Sequence, residues 1–248
     1  MASVSASPDD VQKRLAEIDG YVVCANKNCP NQTIIAGLTE PVREAIDLFE
    51  EAGEMVQLLN VSHAFHTKVV AEGSEPLREH LEDIDIQPPT TPVLTNVHGG
   101  YHSDDPDEIR DLLAEQVAAP VEWMQQVEQM YEDGARTFIE VGPKSALTTF
   151  VESTLGRDRD YLAVHTNHPK EGGLASLYRA MGQLWAEGVW TNEQETENIT
   201  SNTVSQRAAG AEESAVPRGN ERPSRAEILD TMLDVLCEKT GYDPAEIE

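Results

Sequence analysis

The sequence predicts an α/β protein made of two consecutive blocks, a linker and one further helix. The first sixty residues alternate short β-branched runs with amphipathic segments in the order β-α-β-β-α-β. From residue 62 onward strands and helices alternate, which is typical of a parallel sheet. Hydrophobic residues make up 39% of the chain, enough for a packed core, and no apolar run approaches the ~20 residues of a membrane span.

The first block, residues 1–61, predicts four strands and two helices. Asn residues and Pro30 between the second and third strands indicate a turn over 26–31. Thr39 is predicted to cap the second helix, with Pro41 just inside its start. The order matches the ferredoxin-like split βαβ pattern. The predicted elements are strand 1–6, helix 10–18, strand 21–25, strand 32–36, helix 39–52 and strand 55–61.

The second block, residues 62–190, predicts helices that alternate with strands. Its first helix contains Pro76, which predicts a kink or break, and a proline-rich extended stretch at 87–92 precedes the first strand. The predicted elements are helix 66–81, strand 93–96, helices 105–117 and 121–133, strand 136–141, helix 146–155, strand 161–165 and helix 173–188.

The last part of the sequence differs in composition from both blocks. Residues 191–223 have no hydrophobic periodicity and are rich in Ser, Thr, Asn, Glu and Gly, which predicts a flexible linker. Residues 224–248 predict one amphipathic helix that ends at Gly241. Because a lone amphipathic helix cannot bury its apolar stripe, this segment is expected to be the first helix of a further, truncated domain.

Composition narrows the choice of partners and location. The formal net charge is −27, so nucleic acids and anionic membranes are not expected partners. The N-terminus lacks a basic region followed by an apolar run, which predicts a cytoplasmic location. Cys24, Cys29 and Cys237 lack zinc-site spacing, and His63 and His66 lack a third ligand, so no metal site is expected.

Three short motifs carry the functional prediction. They are residues 28–32 (Asn-Cys-Pro-Asn-Gln), residues 62–67 (Ser-His-Ala-Phe-His-Thr) and residues 140–143 (Glu-Val-Gly-Pro), the last preceded by Gln116 and by residues 120–123. In this order and at these separations they resemble the malonyl-CoA:acyl-carrier-protein acyltransferases. These proteins occur as separate enzymes and as domains of polyketide and polyunsaturated fatty acid synthases. The resemblance covers about residues 1–185.

The resemblance implies roles for individual residues. His66 matches the histidine that takes a proton from a nucleophilic serine, and Gln116 matches the residue whose carbonyl orients that ring. Asn28 matches a polar substrate-binding residue, although Cys29 and Asn31 replace the usual Ser and Gly; Asn still tolerates a left-handed turn. Phe65 matches the form associated with malonyl selectivity, because its ring fills space that an α-methyl group needs.

The resemblance also implies partners and a fold. Malonyl-CoA would be the substrate, no resident cofactor is expected, and an acyl carrier protein would supply the phosphopantetheine arm. Residues 1–61 would be the small ferredoxin-like subdomain, and residues 62–190 the C-terminal part of an α/β hydrolase-like subdomain. Residues 224–248 resemble the first helix of an acyl carrier protein, without the serine that would carry the arm.

One expected feature is absent from the sequence. No Gly-x-Ser-x-Gly elbow occurs in the 248 residues, and in this family the elbow lies upstream of the small subdomain. The chain is therefore interpreted as part of an acyltransferase that is inactive by itself. It could be a fragment, or half of a split enzyme whose N-terminal half is another polypeptide. The alternative is a noncatalytic module that binds carrier protein.

Overall fold

The computed structural model describes residues 1–189, and its first block contains a four-stranded antiparallel sheet in the order β2-β3-β1-β4. This arrangement, with two helices between the strands, confirms the predicted α/β class and the ferredoxin-like pattern. The elements are β1 (Ala2–Val4), α1 (Pro8–Leu15), β2 (Val22–Cys29), β3 (Gln32–Gly37), α2 (Thr39–Glu51) and β4 (Val56–Leu58).

The two helices begin in different ways. The Ser7 side chain accepts a hydrogen bond from the Asp10 amide, and Pro8 occupies the first helical position, so α1 starts with a regular cap. The predicted cap of α2 is wrong by one residue. Leu38 is the N-cap and makes no side-chain cap bond, whereas Thr39 already belongs to the helix.

A hydrophobic core lies between these helices and the sheet. The apolar stripes of α1 and α2 pack on the strands because their hydrophobic residues recur at helical spacing. The buried members of this core are Ala2, Val4, Val11, Leu15, Val22, Cys24, Ile35, Val42, Ala45 and Phe49.

Strand β2 is longer than the sequence indicates. The predicted turn over 26–31 is wrong for most of its length, because β2 continues to Cys29 and pairs with β3. Two register irregularities, between Cys24 and Asn26 and between Lys27 and Cys29, accommodate the polar residues within the strand. Strand pairing has therefore overridden the turn preference of the Asn residues.

The second block contains a two-stranded parallel sheet and five α-helices within the described residues. The two strands pair in parallel, as the alternation of strands and helices predicts. The elements are a 3₁₀ helix (Lys68–Gly73), α3 (Ser74–Glu82), α4 (Pro106–Glu115), α5 (Trp123–Glu132), β5 (Thr137–Pro143), α6 (Ala146–Leu155), β6 (Leu162–Asn167) and α7 (Gly173–Ala186).

Two predictions for this block are wrong. The start of the helix predicted over 66–81 is wrong, because His66 lies outside any helix; the rest is helical, as the 3₁₀ helix followed by α3. Helix α3 begins at Ser74, so Pro76 falls in its first turn, where its missing N–H costs nothing. The predicted strand at 93–96 does not form. In its place, an isolated bridge between Leu94 and Tyr101 closes a local turn.

Two smaller cores support the parallel sheet. Val127, Phe138, Val151 and Leu155 pack α5 and α6 against β5, while α7 covers β6. In the part of the chain that the structure describes, no helix has both the length and the apolar character to cross a bilayer. The predicted linker, 191–223, and the predicted helix, 224–248, lie outside the described residues.

Candidate active site

A short loop before the 3₁₀ helix carries the candidate base. Ala64 is buried against Ala25 and Ala36 of the first block's sheet. Thr67 is 1% exposed; its hydroxyl donates to the Ala64 carbonyl at 2.6 Å and accepts from the Val69 amide at 3.2 Å. These contacts anchor the loop on both sides of His66.

The backbone of His66 adopts a left-handed conformation, with φ of 59°. Non-glycine residues seldom adopt this conformation, although His does so more readily than branched residues. The His66 amide donates to the Val117 carbonyl at 3.1 Å, which holds the strained position. The loop therefore directs the imidazole toward the C-terminal end of α4.

The imidazole of His66 is oriented by a main-chain carbonyl. Nδ1 lies 3.0 Å from the carbonyl oxygen of Gln116, the C-cap residue of α4. The last carbonyls of a helix have no intrahelical partner and are free to accept such a bond. Because a carbonyl can only accept, Nδ1 carries the proton, and Nε2 of the neutral ring keeps its lone pair. A half-buried ring in this tautomer can act as a general base.

The other two predicted site residues do not contact this pair through a hydrogen bond. Asn28 lies on β2, where its Nδ2 donates to Gln32 Oε1 at 2.9 Å. Phe65 is 45% exposed, and the centroid of its ring lies 6.1 Å from the centroid of the His63 ring. The structure thus brings His66 and Gln116 together, while Asn28 and Phe65 have other partners.

Asn31 accepts side-chain hydrogen bonds and does not form the left-handed turn that the sequence allows there. The left-handed turn considered for it does not form, because Asn31 is not among the non-glycine residues with positive φ. Its carboxamide oxygen instead accepts from Cys29 Sγ at 2.9 Å and from Ser153 Oγ at 2.7 Å. The tip of the β2–β3 hairpin is thereby attached to α6.

A partly buried ion pair beside the site was missed by sequence reasoning. Lys27 Nζ of β2 donates to Glu122 Oε1 at 2.6 Å. The Lys27 amide donates to the Val121 carbonyl at 2.9 Å, and the Val121 amide donates to Ala25 at 2.8 Å. No local pattern signals a pair whose members lie 95 residues apart.

The Glu-Val-Gly-Pro motif makes no hydrogen bond to the candidate base. Strand β5 runs through it to Pro143, and the Glu140 carboxylate accepts from the Thr148 amide and hydroxyl at 2.8 and 2.7 Å. A cavity of about 210 Å³ lies between α5, β5 and α6 and is lined by Glu140, Trp123 and mainly apolar side chains. Neither His66 nor Gln116 lines this cavity.

Comparisons with known proteins agree with this architecture. Residues 1–189 match the family model described as acyl transferase domain. The malonyl CoA-acyl carrier protein transacylase of Bacillus subtilis (strain 168) is 33% identical over 143 residues, which cover 57% of this chain and 45% of that protein. The chain spans about half the length, or less, of the curated relatives that it matches.

Solved structures show the same fold. The crystal structure of malonyl CoA-acyl carrier protein transacylase from Clostridium perfringens is 30% identical with a TM-score of 0.65, over 76% of this chain and 58% of that one. A type II polyketide synthase acyl-carrier protein in complex with its malonyl-transacylase gives 27% identity and a TM-score of 0.65, over 73% and 57%. Since the family model matches most of its length, the chain belongs to the acyl transferase domain family.

Proposed function

We propose that this chain supplies the base-bearing part of a malonyl-CoA:acyl-carrier-protein acyltransferase active site, with His66 as the general base. The observation that carries the proposal is the bond from His66 Nδ1 to the Gln116 carbonyl, because it leaves Nε2 free to accept a proton. The similarity to malonyl CoA-acyl carrier protein transacylases supports the choice of substrate.

The proposed reaction proceeds through an acyl-serine. His66 Nε2 takes the proton of a serine hydroxyl as the serine oxygen attacks the thioester carbonyl of malonyl-CoA, and returns it to the departing CoA thiolate. In the second half, His66 takes the proton of the carrier's phosphopantetheine thiol. The thiol sulfur attacks the acyl-serine, and the proton returns to the serine oxygen. The chain itself supplies no resident cofactor in this scheme.

The nucleophilic serine is proposed to lie on polypeptide outside these 248 residues, either in the same protein or in a partner chain. No Gly-x-Ser-x-Gly elbow occurs in the sequence. The surface of β5 supports such an additional contact. Ile139 and Val141 are 47% and 85% exposed, although strands of parallel sheets are normally covered on both faces.

Asn28 and Phe65 are assigned to substrate recognition. The bond to Gln32 orients the Asn28 carboxamide and leaves its oxygen available to accept from the substrate. Phe65 directly precedes the base, so its ring can occupy the space beside a malonyl α-carbon. One methyl group is worth about 1–3 kcal/mol in such a pocket, so discrimination against methylmalonyl would be partial, roughly 10- to 200-fold.

Malonyl transfer to a phosphopantetheinylated carrier protein tests this function. The chain alone should give no detectable transfer. The chain joined to, or mixed with, the polypeptide that carries its Gly-His-Ser-x-Gly segment should transfer malonyl. In that active assembly His66→Ala should lower kcat by about 10²- to 10⁴-fold. His66→Asn is the matched variant, since Asn tolerates the left-handed backbone, and it should be equally impaired.

The same assay separates the alternative function. A noncatalytic module that binds carrier protein would bind the carrier tightly and would keep every function after His66→Ala. Rapid malonyl-CoA turnover by the chain alone would contradict the proposal that the serine lies elsewhere.

A further inference from the structure

We propose that Lys27 and Glu122 form a positioning pair that holds the connection between α4 and α5 in place. The Gln116 carbonyl then keeps the His66 ring in the tautomer that carries its proton on Nδ1. The inference rests on the proposed function of His66. Neither residue is assigned a catalytic role, because both act through the main chain of residues 116–122, here called the 116–122 segment.

The 116–122 segment is hydrogen-bonded to His66 at its start and to β2 at its end. Its first two carbonyls, of Gln116 and Val117, accept from the ring and from the amide of His66. At the other end Val121 exchanges main-chain hydrogen bonds with β2 and forms a parallel bridge with Asn26. A shift of this short connection would therefore move the acceptor of the His66 ring.

The Lys27–Glu122 pair differs from the helix-surface ion pairs of the molecule. Its side chains are 29% and 16% exposed, whereas those of Lys13 and Asp10 are 76% and 64% exposed. Partly buried charges are screened less, and a charge-assisted hydrogen bond is stronger than a neutral one. The pair therefore adds a strong third attachment between β2 and the 116–122 segment.

The position of Glu122 at the start of α5 supports this role. Glu122 is the N-cap of α5, where a carboxylate could accept from the unpaired amides of the first turn. Its side chain makes no such cap bond and contacts Lys27 instead. Glu122 also donates its amide to the Asn96 carbonyl at 2.9 Å, so its main chain is held as well.

Breaking the pair should loosen the segment without removing any group that touches the base. Movement of the Gln116 carbonyl would release Nδ1, and the tautomer with the proton on Nε2 would become populated. A neutral ring with its proton on Nε2 cannot accept a proton there. In the active assembly kcat would then fall while KM for malonyl-CoA stays the same.

Two measurements on the full chain test the proposal. Amide hydrogen exchange of His66 and Val121 reports opening of the segment, because their acceptors are Val117 and Ala25. Nitrogen-15 NMR of the neutral His66 ring reports its tautomer, with the signals assigned by comparison with His66→Asn. The variants are Lys27→Met, Glu122→Gln, which keeps the side-chain shape, and the double variant.

Arg159→Met is the matched control. Arg159 pairs with Glu128 of α5, and these side chains are 38% and 35% exposed, but neither contacts the 116–122 segment through a hydrogen bond. This variant should lose a somewhat more exposed ion pair of α5 without changing the exchange of His66 or Val121.

Each single variant at the pair should speed both exchanges by ~10-fold and populate the Nε2-protonated tautomer, and the double variant should go no further than either single variant. Unchanged exchange and tautomer in Lys27→Met and Glu122→Gln would overturn the proposal. Additive effects in the double variant, or an equal effect of Arg159→Met, would also overturn it. A wild-type ring without the Nδ1 proton would instead contradict the proposed function of His66.

Discussion

Thr67 anchors the loop that carries His66 through one hydroxyl that both donates and accepts. Thr67→Ala should lower the free energy of unfolding by about 1–2 kcal/mol, because it leaves the Val69 amide without its cap and the buried Ala64 carbonyl without its donor. Urea denaturation measures the change. Thr67→Ser keeps the hydroxyl and is the control; a loss as large as that of Thr67→Ala would show that the methyl group, and not the hydroxyl, matters.

Cys24 gives a pH-dependent prediction. Burial is the main cause that raises the pKa of Cys24 to about 11. The charge of Lys27 opposes this rise, and the charges of Glu122 and Asp9 add to it. The folded state thus binds the thiol proton more tightly than the unfolded state does. The resulting stability is complete below pH 9.0 and is lost as pH rises through about 11.

The rate at which iodoacetamide alkylates Cys24 in the folded chain at pH 9–10 tests the raised pKa, since the thiolate is the reactive form. Cys24 should react much more slowly than the same residue in the urea-unfolded chain. Equal rates in the folded and unfolded chains would contradict the raised pKa.

At the scale of elements, two glycines provide opposite tests. A Cβ on Gly37, at the end of β3, would lie 2.1 Å from the Tyr21 carbonyl oxygen. Gly37→Ala should therefore lower the Tm by roughly 4–8 °C, equivalent to about 2 kcal/mol for a chain of this size.

A Cβ added to Gly182, inside α7, would have no atom within 4 Å apart from its chain neighbours and the adjacent helix backbone. Gly182→Ala should raise stability by about 0.5–1 kcal/mol. Thermal unfolding compares the two; an unaffected Gly37→Ala would contradict the close approach.

Amphipathic helices were predicted well, because their apolar spacing is a property of the local sequence. The bounds of α6 agree with the prediction, and those of α4 and α7 differ by a few residues. The sequence predicts that strand β2 ends at residue 25, because the Asn and Lys residues that follow favour turns. Pairing with β3 extends the strand to Cys29. The helix predicted over 66–81 starts two residues too early, because the left-handed backbone of His66 cannot be read from hydrophobic periodicity. The rest of that range is helical, first as the 3₁₀ helix and then as α3.

At the scale of the whole molecule, the charge imbalance predicts a salt dependence. The chain has 45 Asp and Glu residues but 18 Lys and Arg residues. Raising NaCl from about 0.05 M to about 1 M should raise the Tm at pH 7, because shorter screening lengths weaken the repulsion between carboxylates. The gain should shrink as the pH approaches the sequence pI of about 4.4, where net charge vanishes. A Tm that falls with salt at pH 7 would contradict this.

The candidate site was predictable in part. His66 and Gln116 were identified through motifs, and the structure places them in contact, although their catalytic roles stay predictions. The sequence did not distinguish the main-chain carbonyl of Gln116 from that of its side chain. The Lys27–Glu122 pair could not be foreseen, since it depends on how β2 packs against a connection far along the chain.

The main-chain origin of the Gln116 acceptor has a consequence for mutagenesis and for variation among relatives. Every amino acid carries the same peptide oxygen, so an alanine scan would pass over position 116 with the imidazole still correctly aimed. An insertion or deletion in the bend that follows α4 would displace that oxygen while leaving each individual side chain intact. The length of this bend, more than the identity of residue 116, therefore sets the orientation of the His66 ring.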